Sequence, residues 1–225
     1  MKKALSILGY FMMTGSLFAD LTFVQKVQST SVMGQPPRDG IMTTYIKGSK
    51  AKFENMGPSI SEIVDIDSGK IFLINSAQKS VTVMTEAMMK QYTEMASKSG
   101  ALGSTTAEKL GNAKTVNGYS CEEYKVTSSG MLSSETVACI SREIDTTDID
   151  KFREFSKDLA KQFGGMPDDV KGYPVMTDTK ITLMGKIVTS HTELVSISND
   201  SIPDSVFVIP ADYKTTEMPM LPKPK

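Results

Sequence analysis

The chain has 225 residues, with 25 Lys and Arg against 26 Asp and Glu, one His, two Cys and no Trp. A formal net charge of −1 gives no field to hold a nucleic-acid backbone, and one His beside two Cys makes no zinc-ligand set. A chain of this length fits one domain and can bury roughly 70% of its unfolded surface.

Lys2 and Lys3 precede an apolar stretch from Ala4 to Phe18 that ends at Ala19. A charged start, a short apolar core and a small final residue predict a cleavable secretory signal over 1–19. At about 15 residues the stretch is shorter than the roughly 20 that a membrane-spanning helix needs. Leu17 stands where a small residue is preferred at a cleavage site, so an uncleaved N-terminal anchor is the alternative. No Cys follows the apolar core, and no lipid attachment is expected there. Cleavage near Ala19 predicts a periplasmic or secreted protein with no transmembrane segment after signal removal. One β-rich domain is then expected over 20–215, followed by a disordered Pro/Lys tail over 216–225, where three prolines fall within Met218–Lys225.

Leu21 to Gln28 reads as a first strand. Met42–Lys47 and Lys50–Glu54 form a hairpin across Gly48-Ser49, and Ser61–Asp67 with Lys70–Asn75 form a second across Asp67-Ser68-Gly69. Val81–Met84 adds a short strand, so the first half reads as an antiparallel meander. A helix follows from Thr85 to Met95, with Met88, Tyr92 and Met95 on one face and Met89 beside them. Ser97–Thr106 is Gly/Ser/Thr-rich and reads as a flexible linker. Strands resume at Thr115–Val126 and Thr136–Ile144. A second helix starts at a Thr147 or Asp148 cap, carries an apolar stripe of Ile149, Phe152, Phe155, Leu159 and Phe163, and stops at Gly164-Gly165. Val175–Leu183, Lys186–Ser198 and Phe207–Ile209 complete the strands.

In an exported chain, Cys121 and Cys139 read as a disulfide. A hairpin turning at Gly130 sets Cys121 opposite Cys139 and Lys125 opposite Glu135. Neither thiol has a Lys, Arg or His immediately beside it, and no Cys-x-x-Cys is present, so a redox-active pair is the weaker reading.

His191 lies in a strand pattern without a nucleophile or metal partner, and reads as a residue of a polar strand face. Asp65, Asp67 and Gly69 resemble the start of a calcium loop. The glycine comes one position early, however, and Ser76 stands where a bidentate carboxylate is required, so a hairpin turn is the better reading. Sixteen methionines are the compositional oddity. Met84, Met88, Met89 and Met95 cluster near the first helix. They fill a core, line a deformable apolar cavity, or bind Cu(I) through thioethers.

Several motifs recur in a recognisable order. They are Tyr45-Ile-Lys-Gly48-Ser-Lys50-Ala-Lys52, Ile63-Val-Asp65 with Lys70-Ile-Phe-Leu-Ile-Asn75 and Lys79, Gly118-Tyr119-Ser-Cys121-Glu-Glu-Tyr124, Gly172-Tyr-Pro174-Val175, and Pro203-Asp-Ser-Val-Phe207-Val-Ile-Pro210-Ala-Asp-Tyr213. This order is similar to that of a family of exported bacterial proteins known only as a domain of unknown function, itself similar to the outer-membrane lipoprotein carrier superfamily. Lys52 departs from an expected Arg, and Asp212 from the usual Gly. The resemblance implies an α+β fold, with a curved antiparallel β-sheet forming a half-barrel and two or more helices packed on its concave face. In carriers that sheet–helix space accepts acyl chains.

The resulting expectation is a non-enzymatic periplasmic or secreted protein that binds an apolar or lipid-like ligand between sheet and helices. No cofactor, metal or catalytic residue is expected, and the sequence names no protein partner. The ligand-cavity candidates are Met84, Met88, Met89, Tyr92, Met95, Phe152, Phe155 and Leu159. The alternatives are an envelope structural or interaction module with a filled core, and a Met-based Cu(I) binder.

Overall fold

Period-two alternation of apolar and polar residues runs through most of the chain, and these stretches form strands. A computed structural model describes residues 20–30, 37–57, 59–98, 104–129, 133–163, 166–167, 169–183 and 186–219. The expected signal over 1–19, the Gly164-Gly165 helix stop and the tail from Met220 onward lie outside the described residues.

The strands are β1 (Leu21–Ser29), β2 (Arg38–Lys47), β3 (Lys50–Gly57), β4 (Ile60–Asp65), β5 (Lys70–Asn75) and β6 (Ser80–Thr85), then β7 (Thr105–Val116), β8 (Tyr119–Ser128), β9 (Ser133–Ser141), β10 (Tyr173–Leu183), β11 (Lys186–Ser198) and β12 (Lys214–Glu217). Helix α1 (Glu86–Lys98) follows β6, and α2 (Thr147–Phe163) follows β9. Among the described residues all twelve strands form one open sheet, in the order β12-β6-β5-β4-β3-β2-β1-β11-β10-β9-β8-β7. Two meanders, β1–β6 and β7–β11, are therefore joined through antiparallel pairing of β1 with β11. The β12–β6 pair is parallel. The architecture is one large, open, mostly antiparallel sheet with two helices.

One core serves both meanders and both helices. Phe23, Ile46, Ala51, Val64, Ile71, Cys121, Cys139, Val175 and Leu194 from the sheet are buried in one cluster with Met89 of α1 and Phe152 of α2. Two smaller clusters form elsewhere. Ile63, Ile74, Val81 and Val83 pack with Ile209 and Tyr213 of the C-terminal segment, and Ala138 and Ile140 pack with Val170 and Met166 of the α2–β10 connection. Among the described residues, no helix is long and apolar enough to cross a membrane.

The disulfide joins Cys121 to Cys139, with Cα atoms 5.3 Å apart. The register differs from the expected one by two residues: Glu123 faces Cys139, and Lys125 faces Val137. The reason is that the turn is centred later than Gly130, since Ser128 faces Ser134. The two cysteines are thus diagonal neighbours. Cys121 lies just past the last β8–β9 pair, Glu122 with Ile140, where β8 can lean over Cys139. Lys125 reaches Glu135 on the same diagonal, at 2.8 Å. Closing a loop of this size stabilises by about 3 kcal/mol through the unfolded chain.

Further expectations are corrected. Thr115–Val126 is not one strand. It turns at Asn117-Gly118, whose φ angles of 48° and 88° are those of a two-residue hairpin turn. Its first arm, β7, occupies residues from Thr105 onward, part of the expected linker. β7 is an edge strand with mostly exposed side chains, so it carries little apolar alternation to betray it. The expected disordered tail begins too early, because Thr216 and Glu217 pair with Thr82 and Val83 in β12. Phe207–Ile209 is not a strand: Asp204–Phe207 is a 3-10 turn. The cap of α2 is Thr146, ahead of the expected Thr147 or Asp148. The Thr146 carbonyl accepts the Asp150 N–H at 2.7 Å, and the Asp145 carboxylate accepts the Thr147 N–H and hydroxyl, which holds that carboxyl below its usual range.

Gly172 is fixed by contact as well as by conformation. Its φ is +118°, and a Cβ there would stand 2.4 Å from the Ser141 carbonyl oxygen. Gly172→Ala is expected to lose about 2–4 kcal/mol of stability in denaturant unfolding. Gly40→Ala, where a Cβ would meet nothing within 4 Å, should change it by less than about 0.5 kcal/mol. Equal stability of the two variants would contradict this packing.

Candidate functional site

Directly opposed residues of an antiparallel sheet share a face, so the register defines what the helices cover. One row across the first meander reads Leu21, Ile46, Ala51, Val64, Ile71, Met84 and is wholly apolar. The next row on the same face reads Phe23, Thr44, Phe53, Glu62, Leu73, Thr82. Phe23 stacks on Tyr173 of β10, with centroids 4.9 Å apart, which ties this face to the second meander.

Helix α1 starts where the Thr85 hydroxyl accepts the Met88 N–H at 3.4 Å. It buries Met88, Met89 and Ala96. Helix α2 buries Phe152, with Ile149 and Phe155 packed against the core. α1 and α2 contact each other. Arg153 anchors α2 by donating to the Gly172 carbonyl at 3.3 Å while pairing with Asp150 at 2.8 Å. Burial pushes the neighbouring Tyr173 hydroxyl up to about 12, and Arg153 pulls it the other way.

The cavity candidates separate accordingly. Met84, Met89, Phe152 and Phe155 meet in one cluster. Met88 is buried and Met95 partly buried, both on α1. Tyr92 turns instead to the C-terminal segment, where its hydroxyl donates to the Pro219 carbonyl at 3.3 Å. The Leu159 side chain lies outside the described residues.

The site also holds a residue that the sequence reading passed over. Glu62 is partly buried between Phe53 and Leu73 on the helix-facing side. The available signal was the Asp67-Ser68-Gly69 turn, whose register sets Glu62 opposite Leu73. Burial pushes its carboxyl above the usual carboxylate range. By contrast, Glu123, opposite Cys139, receives hydrogen bonds from Lys114 and Asn112, which hold its carboxyl low.

A separate groove of about 710 Å³ crosses β1, β9, β10 and β11. Gln28, His191, Asp178 and Val137 stand opposite one another across it. His191 Nδ1 lies 2.7 Å from Asp178, and Nε2 lies 3.8 Å from Glu193. Most residues lining the groove are of polar type, His191 among them. Asp65 and Asp67 are turn residues: Asp65 accepts the Ser68 N–H at 3.2 Å, and Asp67 accepts the Ser49 hydroxyl at 2.6 Å.

A carboxyl whose folded pKa is raised by burial contributes stability that is complete below its unfolded value, about 4.3 for Glu. That stability is lost as the pH rises through the folded value. Glu62→Gln is therefore expected to raise Tm at pH 7 and to leave it unchanged near pH 3.5. An equal change at both pH values would contradict the assignment.

A solved structure of PNGF-II is 12% identical with a TM-score of 0.40, over 88% of this chain and 31% of that one. A putative outer membrane lipoprotein-sorting protein domain from Vibrio parahaemolyticus is 8% identical with a TM-score of 0.35, over 80% of this chain and 85% of that one. At such scores neither likeness bears on function. No curated protein matches the chain. Residues 31–213 match the family described as a domain of unknown function, DUF4412. That span takes in β2 to β11, both helices and the disulfide, and the chain belongs to the DUF4412 family.

Proposed function

We propose that this is an exported, non-enzymatic protein of the cell envelope, released by cleavage near Ala19, that holds an apolar or lipid-like ligand between its sheet and its helices. In this reading the sheet is curved, and α1 and α2 cover its concave face. The observation that carries it is an extended apolar row on the sheet that shares one core with a helix layer bearing adaptable methionines. The row spans six strands, from Leu21 to Met84. The described helix side chains that are buried are Met88, Met89, Ala96 and Phe152. Each large apolar side chain contributes about 1.5–3 kcal/mol when buried. Beside buried Met88, Met89 and Phe152, the partly buried Ile149 and Phe155 pack against the same core, and methionine adapts its shape to a varied ligand. The disulfide fits an oxidising compartment.

Protein purified without denaturant should release a lipid-like species on organic extraction, read by mass spectrometry. It should also bind a fluorescent acyl probe with a Kd of about micromolar order, near −8 kcal/mol. Folded protein that releases nothing and binds no probe would contradict the reading, and a protein partner retained on purification would then favour an envelope module with a filled core.

A further inference from the structure

Side chains alternate along β4. Ile63 packs into the small cluster with Ile74, Val81 and Val83, while Val64 belongs to the main core. Glu62 shares the face of Val64, the one the helices cover. The two residues directly opposite it, Phe53 on β3 and Leu73 on β5, also pack against the main core. Among the described residues no hydrogen bond or ion pair reaches its carboxyl. The nearby cation Lys52 stands opposite Ile63, on the other face, and pairs with Glu54 at 2.7 Å.

An ionised carboxylate only accepts hydrogen bonds, and one withdrawn from water without a donor is unfavourable. Glu62 keeps some exposure, so a ligand can reach it. An apolar row beside a single carboxylate is complementary to a molecule with a hydrocarbon chain and a cationic end. A fatty-acid carboxylate would instead bring a second negative charge to the same place.

Resting on the function proposed above, we infer that Glu62 receives the head group, and that the preferred ligand is an amphiphile with a protonated amine, its chain lying over the row from Leu21 to Met84. The upward push that burial exerts on this carboxyl is relieved by such a partner.

The test compares dodecylamine, dodecanol and dodecanoate, each below its micelle concentration, by displacement of a fluorescent acyl probe from the full chain. Dodecylamine should bind at least about tenfold more tightly than either of the others, the scale of one charge-assisted hydrogen bond. Glu62→Gln should abolish that preference while leaving dodecanol affinity within about twofold. Glu62→Leu, which suits the apolar row, gives the same readout on a second background. Equal binding of the three by the wild-type chain, or a preference that survives both substitutions, overturns this inference alone. Failure of all three to bind folded wild-type protein overturns the proposed function and this inference with it.

Discussion

Pairing of β1 with β11 is the interaction on which the rest of the molecule depends. It runs from Thr22 opposite Ser198 to Ser29 opposite Ser190. Without it the chain is two separate meanders, each with an unpaired inner edge. With it, Phe23 and Leu194, which lie in the two seam strands, become fully buried. The seam is reinforced at one end: Asp20 accepts the Ile202 N–H at 2.6 Å, and Lys47 donates to the Ile202 carbonyl at 2.6 Å. Residues so distant in sequence must meet before the core exists, which places the fold among those that form slowly.

The seam also explains the placement of the last segment. Leaving β11 next to β1, the chain returns across the first meander and lays Ile209 and Tyr213 over Ile63, Ile74, Val81 and Val83. It then adds β12 to the edge of β6, aided by Lys79 pairing with Asp212 at 2.7 Å. Both sides of the first meander are thereby covered by different means: the C-terminal segment on one, the helices on the other.

Elements with strong local signals were legible in the sequence. The hairpins at Gly48 and Gly69 have turn residues at positive φ, and α2 has an amphipathic stripe whose Ile149, Phe152 and Phe155 meet the main core. The disulfide partners followed from chemistry, although the exact strand register did not, because the β8–β9 loop does not centre on its only glycine. β7 escaped notice because an edge strand with polar residues on both sides looks like a linker. β12 escaped because a strand held by main-chain bonds, with all four side chains exposed, leaves no apolar pattern. Glu62 escaped for a different reason: the Asp67-Ser68-Gly69 turn sets it opposite Leu73, but only the β3–β4 register adds Phe53 on its other side.

In the proposed function the helices form a cover that opens over an apolar sheet face, rather than a layer locked into one core. Native-state amide hydrogen exchange tests this directly. The account predicts that amides of α1 and α2 exchange through local opening, at a free energy several kcal/mol below that of global unfolding, while amides of β1 and β11 around Phe23 and Leu194 exchange only when the whole domain unfolds. Helix amides protected as strongly as those of the β1–β11 seam would contradict it.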